Sequence, residues 1–227
     1  MHTLSVSCFL SLLVSLALAS QDLSQLSSKL VRRHDHDHAS FSNIHIMKQQ
    51  SDHPQGYLQI YNPDGSVAFL FKKETSDTVE GASSTVVMNN VSHITMKLNS
   101  VDDVCMHKSH YMEVDSNESS HSRFEIDPRG PKADRWKFSY LAPSGAEFRY
   151  MFKRNFWNKG GNIYRLREGG EDTLIANLEE QVRWEPWLYP KSKGVSTFTL
   201  RSTADAPLIE LITLMGLVFT RVHKCRL

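Results

Sequence analysis

The chain has 227 residues, 40% of them hydrophobic and 10% aromatic, with a formal net charge of +1. That length and apolar content suit one all-β domain with a tail and a sizeable core, and the near-neutral balance excludes wholesale nucleic-acid binding, which needs a strongly basic domain. The charges are nevertheless uneven: four Lys/Arg face eight Asp/Glu from Lys72 to His121, whereas fifteen face ten from Arg123 to Arg201. The second half carries the positive field, which favours an anionic partner.

Residues 1–19 come first. Their apolar run from Cys8 to Ala19 closes on Ala17-Leu18-Ala19, the small-x-small pattern of a signal-peptidase site, although no Lys or Arg precedes the run. The run is too short for a spanning helix, so the reading is a secreted chain with no transmembrane span in its mature part. Secretion is consistent with the sequons Asn90-Val91-Ser92 and Asn117-Glu118-Ser119, which make Asn90 and Asn117 candidate glycosylation sites. It is also consistent with the two cysteines left after cleavage, Cys105 and Cys225. Either they form a disulfide across a loop of over a hundred residues, or they remain two buried thiols.

Residues 20–55 are rich in Ser, Gln, His and Asp, lack a regular apolar pattern, and read as a polar, disordered leader. Within it, Arg32-Arg33 is a candidate dibasic processing site. HDHDH at 34–38 is the densest run of metal-ligating side chains, because His34, His36 and His38 alternate and their imidazoles can converge on Cu, Ni or Zn. Cleavage after Arg33 would leave His34-Asp35-His36 at a new N-terminus, where the amine, backbone nitrogens and third-residue imidazole form a tetragonal set for Cu(II) or Ni(II). The competing reading is a solvated tail that meets metal only adventitiously.

From residue 56 the period changes to two. YLQIYNPDGSVAFLFK reads as a hairpin about Asn62-Pro63-Asp64-Gly65, in which Pro presets φ and Gly supplies the left-handed residue. TVVMNNVSHITMKL repeats the pattern around Asn89-Asn90, DRWKFSYLAPSGAEFRYMFKR around Pro143-Ser144-Gly145, and NIYRLREGGEDTLIANLE through Gly169-Gly170. VSTFTLR adds a last strand. The spacing predicts about ten to twelve antiparallel strands closed as a barrel or sandwich.

DAPLIELITLMGLVFTRV then predicts the single strong helix, over about 206–222. Asp205 is placed to cap it, Pro207 suits an early position, and Arg221, His223 and Lys224 lie where the dipole favours cations. It is apolar on nearly every side, so it must be enclosed in protein or lipid. At roughly fifteen residues it is shorter than the ~20 that cross a bilayer, which favours enclosure by the chain's own strands.

Over about residues 55–225 the sequence resembles the tubby C-terminal-like domain, most of all fungal tubby-like domains of unknown function. The early GYLQIYNPDGSVAFLFK, the pairing of APSGAEFRYMFKR with GNIYRLREGGEDTLIANLE, and the terminal DAPLIELITLMGLVFTRVHK carry the resemblance. It implies a mainly β fold, an antiparallel barrel around a hydrophobic C-terminal helix. The wider group includes phospholipid scramblases and plant LURP-one-related proteins, so it also implies binding at a membrane surface or to a partner, without a shared catalytic centre or cofactor.

The best candidate binding surface is FRYMFKRNFWNKGGNIYRLR. Arg149, Lys153, Arg154, Lys159, Arg165 and Arg167 alternate there with aromatic residues, a composition that can meet a phospholipid head group or another anionic ligand. The same alternation also describes an ordinary half-buried strand. CMHKSH, with Cys105, His107 and His110, lacks the second Cys/His pair that a zinc site needs. WEPWLYP reads either as a binding edge or as barrel packing. No G-x-S-x-G, phosphate-loop or H-E-x-x-H motif occurs, so the expected role is non-enzymatic.

Overall fold

The computed structural model of the chain describes residues 40–50, 53–77, 79–114, 121–129, 132–142, 144–155, 159–188 and 194–225. The period-two segments form β2 (Leu58–Tyr61), β3 (Val67–Asp77), β4 (Ala82–Asn89), β5 (Ile94–Ser100), β6 (Ser109–Glu113) and β7 (His121–Arg129). They continue through β8 (Lys132–Leu141), β9 (Glu147–Arg154), β10 (Gly161–Arg165), β11 (Thr173–Arg183) and β12 (Val195–Ser202). With β1 (Asn43–Lys48) these twelve strands close an antiparallel barrel in which β1 lies between β2 and β12.

A barrel of eight strands is filled by its own side chains, and a wider one leaves a lumen. Here the C-terminal helix, Leu208–Cys225, supplies the filling. Its Leu211, Leu214, Met215, Leu217, Val218 and Val222 share one buried core with the inward residues Phe71, Leu98, Phe124, Trp136, Phe152 and Phe198 of the strands. The all-round apolar character of the segment is thereby answered inside the protein. No helix among the described residues is long and apolar enough to cross a membrane. A glycine at the tightest point lets the helix approach the wall, since a Cβ on Gly216 would fall 2.3 Å from the Phe71 ring.

Two boundaries differ from the sequence reading. The barrel begins inside the segment taken as leader: β1 pairs along its whole length with β12, from Asn43↔Ser202 to Lys48↔Thr197. Its short IHIMK run hides a strand because both faces are covered, with Met47 in the core and Ile46 opposite Tyr61 on the other face, both 0% exposed. The helix also starts two residues later than expected and runs on to Cys225. Pro207 precedes the first turn and its carbonyl accepts from the Leu211 amide, while the last turn is held by the side chains of Arg221, Lys224 and Cys225.

Those holds form a polar hub where the helix ends. Cys225 is disulfide-bonded to Cys105 in the loop after β5, with Cα atoms 5.5 Å apart. In the same loop Asp103 accepts from the Tyr111 hydroxyl at 2.6 Å and pairs with Lys73 at 2.7 Å and Arg221 at 3.2 Å. Arg221 also donates to the Ser109 hydroxyl and to the carbonyls of Val104 and His107. CMHKSH is thus an anchoring loop: Cys105 is in the disulfide, His107 gives a backbone carbonyl to Arg221, and the His110 ring contacts Asp102 at 2.6 Å.

Candidate functional site

The basic-aromatic stretch folds into β9 and β10, where strand alternation sorts its cations by parity. On β9, Tyr150, Phe152 and Arg154 are buried, whereas Glu147, Arg149 and Lys153 are exposed. Six cations read as one set therefore separate. Arg154 lies on the buried side opposite Gly161. Lys153 sits outside, its ammonium 4.4 Å from the centre of the Tyr164 ring, four residues and roughly 13 Å along the strand from Arg149. Lys159 lies beyond β9 in the loop to β10, its ammonium 4.0 Å from Glu180.

Arg149, Arg165 and Arg167 do come together, at the barrel end where the helix starts. They line a cleft of about 800 Å³ with Glu147, Phe148, Leu166 and Glu168. Arg165 reaches it from the other strand face, its guanidinium 4.6 Å from the centre of the Phe148 ring. The arginine stands opposite Tyr150, at the end of a row in which Phe124, Phe138 and Tyr150 stack at 5.5 and 4.7 Å. Such a ring platform fixes the guanidinium plane and leaves its N–H edge for an acceptor.

A second cleft, of about 340 Å³, adjoins the first through Glu147, Arg149 and Leu166, and adds Arg123, Glu125, Lys137 and Ser139. Pairing brings these side chains to one outer face: Arg123 stands opposite Ser139, which stands opposite Arg149, and Glu125 stands opposite Lys137. The two clefts together are lined by five cations and three carboxylates. The carboxylates are partly engaged already. Glu147 accepts from Arg149 at 2.7 and 3.0 Å, and that bond holds its carboxyl below the ordinary range. Glu125 lies 3.0 Å from Lys108; burial pushes its carboxyl up, but the hydrogen bond and charge of Lys108 outweigh this and bring it below the ordinary range. Arg123, Lys137 and Arg167 are exposed and make no ion pair among the described residues.

Sequence reading missed Arg123 and Lys137. They lie on strands separate from the aromatic stretch, and only the register of β7, β8 and β9 places them beside Arg149. Their trace in the sequence was the period-two alternation of charged with apolar residues in RFEI and RWKF.

Among the remaining candidates, Asn90 is exposed at the turn between β4 and β5. Asn117 and His34, His36 and His38 lie outside the described residues. No group of three or more His, Cys, Asp or Glu among the described residues is placed to hold a metal ion. Within WEPWLYP, Trp187 and Leu188 pack against the protein: the Trp187 ring lies 5.1 Å from that of Tyr61, its Nε1 donates to the Pro63 carbonyl, and Leu188 is buried. Trp184, by contrast, is 66% exposed.

Comparison of the chain with protein-family models, with curated proteins and with solved structures gave no match.

Proposed function

We propose that the chain is a secreted, non-enzymatic binding domain that takes a phosphate-bearing anion in the joined clefts at the barrel end where the helix starts. The single observation that carries this reading is the convergence of Arg123, Lys137, Arg149, Arg165 and Arg167 on one continuous surface. Arginine forks suit phosphate because two N–H groups meet two oxygens at once, and a stacked guanidinium loses little freedom on binding. The tubby-like resemblance supports the same reading, since its barrel-and-helix architecture is used at membrane surfaces, which points to a phospholipid head group as the source of the phosphate.

The test is co-sedimentation with vesicles of phosphatidylcholine alone and with added phosphatidylserine or phosphatidylinositol bisphosphate, alongside titration with inositol hexakisphosphate. Binding to the anionic vesicles is expected to fall tenfold or more in Arg123→Glu/Lys137→Glu/Arg167→Glu, three exposed positions outside the core, and to weaken with salt. Binding of the soluble phosphate without the vesicles would assign the clefts to a free ligand. Equal binding by the triple variant, or no preference for anionic over neutral vesicles together with no uptake of the soluble phosphate, would overturn the reading.

A further inference from the structure

The turn joining β4 to β5 holds two adjacent asparagines that the fold uses differently. Asn89 is consumed by the turn: its side-chain oxygen accepts from the amides of Val91 and His93, its amide donates to the His93 carbonyl, and its carbonyl accepts from Ser92. Asn90 is exposed, and its side-chain amide has no partner among the described residues. The side chain that begins the Asn-Val-Ser triplet is thus the one the turn leaves free. Ser92, which completes the triplet, is exposed with φ +62°.

Two independent features point the same way. The turn carries an apolar surface that nothing in the described chain covers, with Val91 inside the triplet 74% exposed and Ile94, two residues past it, 51% exposed. The fold also joins Cys105 to Cys225 across a separation of 120 residues, a bond that forms and persists in an oxidising compartment.

We infer that Asn90 carries an N-linked oligosaccharide that lies over Val91 and Ile94. In the transfer, Asn90 Nδ2 bonds to the anomeric carbon of a lipid-pyrophosphate-linked oligosaccharide. The bond from that carbon to the pyrophosphate breaks, the lipid pyrophosphate leaves, and Nδ2 gives up one proton. The site needs no change in the fold, because the nitrogen is in solvent and the turn is held by Asn89. This inference rests on the secretory reading of residues 1–19 and is independent of the anion clefts, so vesicle binding and Asn90 occupancy fail separately.

The experiment is secretion of the full chain with its own leader from a eukaryotic host, followed by peptide mass spectrometry before and after peptide-N-glycosidase treatment. The Asn90 peptide of the wild-type protein is expected to carry hexose and N-acetylhexosamine, and to appear as aspartate at position 90 after the enzyme. Ser92→Ala is expected to abolish the modification with Asn90 still present, and enzymatic removal is expected to raise retention on a hydrophobic matrix. A secreted, disulfide-bonded chain with an unmodified Asn90 peptide would overturn the inference. So would a chain retained in the cell with Cys105 and Cys225 reduced. Direct reading of the wild-type peptide keeps the test decisive even if a variant fails to fold.

Discussion

Arg221 and Asp103 meet at 3.2 Å, with side chains that are each 1% exposed. The pair ties the last turns of the central helix to the loop after β5, and it sits beside two further cations: Lys73 at 2.7 Å and Lys224 at 3.7 Å from the other carboxylate oxygen. One buried carboxylate therefore answers three cations, helped by the helix C-terminus, whose carbonyl ends favour positive charge. Burial pushes the Asp103 carboxyl up, but the charge and hydrogen bonds of Lys73 and Tyr111 outweigh it and hold it below the ordinary range. Burial drives the Lys73 ammonium the other way, below its usual value.

Removing the shared partner leaves buried cations without compensation. Asp103→Ala is expected to cost about 3 to 5 kcal/mol, the range for breaking a buried pair, measured by denaturant unfolding. Arg221→Met leaves the carboxylate with Lys73 and Lys224, so its loss should be the smaller of the two. Negligible losses in both would show that the hub does not anchor the helix, and equal losses would show that Asp103 is not the partner the cations share.

At the other end, Glu210 in the first helical turn is 7% exposed and accepts from the Ser122 hydroxyl at 3.1 Å. Burial raises its carboxyl above the usual range, and neighbouring Glu113 pushes the same way. A raised folded value means that the folded state holds the proton more tightly. Its contribution to stability is present below the ordinary glutamate range near 4.5, and is lost as pH rises through the folded value. Glu210→Gln, which keeps a hydrogen-bonding group without the charge, is expected to flatten that fall. Thermal melts of both proteins at several pH values check the slope.

Reduction of Cys105–Cys225 opens a loop of 120 residues and, in the chain-entropy account, removes about 5 kcal/mol. The double variant Cys105→Ser/Cys225→Ser should lose a similar amount in oxidising buffer and be insensitive to reductant. A wild-type protein with the same unfolding midpoint with and without reductant would contradict this.

Gly216 is a case where helix propensity and packing oppose each other. Alanine gains up to about 1 kcal/mol in a helix interior, but its methyl would meet the Phe71 ring at 2.3 Å, an overpacking that costs about 1 to 3 kcal/mol. Gly216→Ala is expected to be destabilising, and part of the loss should return in Gly216→Ala/Phe71→Leu. Additive losses in this double-mutant cycle would show that the two sites do not touch.

The sequence by itself determined the elements. The β-branched and aromatic run VAFLF, the turn chemistry of Asn62-Pro63-Asp64-Gly65, and the apolar run from Leu208 to Val222 are local signals, and each became the strand, turn or helix it specifies. It also named Arg149, Arg165 and Arg167, but only within one set with Lys153, Arg154 and Lys159, because cations alternating with aromatics are legible within twenty residues while their grouping is not. β1 was not legible, since a strand covered on both faces loses the polar-apolar alternation that reveals strands.

Only the tertiary structure decided which cations belong together. Parity places Arg154 inside and Lys153 outside although they are adjacent in the chain, and a shift of one residue in register would exchange them. Arg123 and Lys137 joined Arg149 because antiparallel pairing of β7, β8 and β9 aligns their outer faces. Arg221 and Asp103, 118 residues apart, met because the lumen of a twelve-stranded barrel must be filled and the helix that fills it ends beside the loop after β5. Periodicity along a chain records that a residue alternates or caps; which residue faces it across the fold is set by barrel closure and register, and neither is a property of any local stretch.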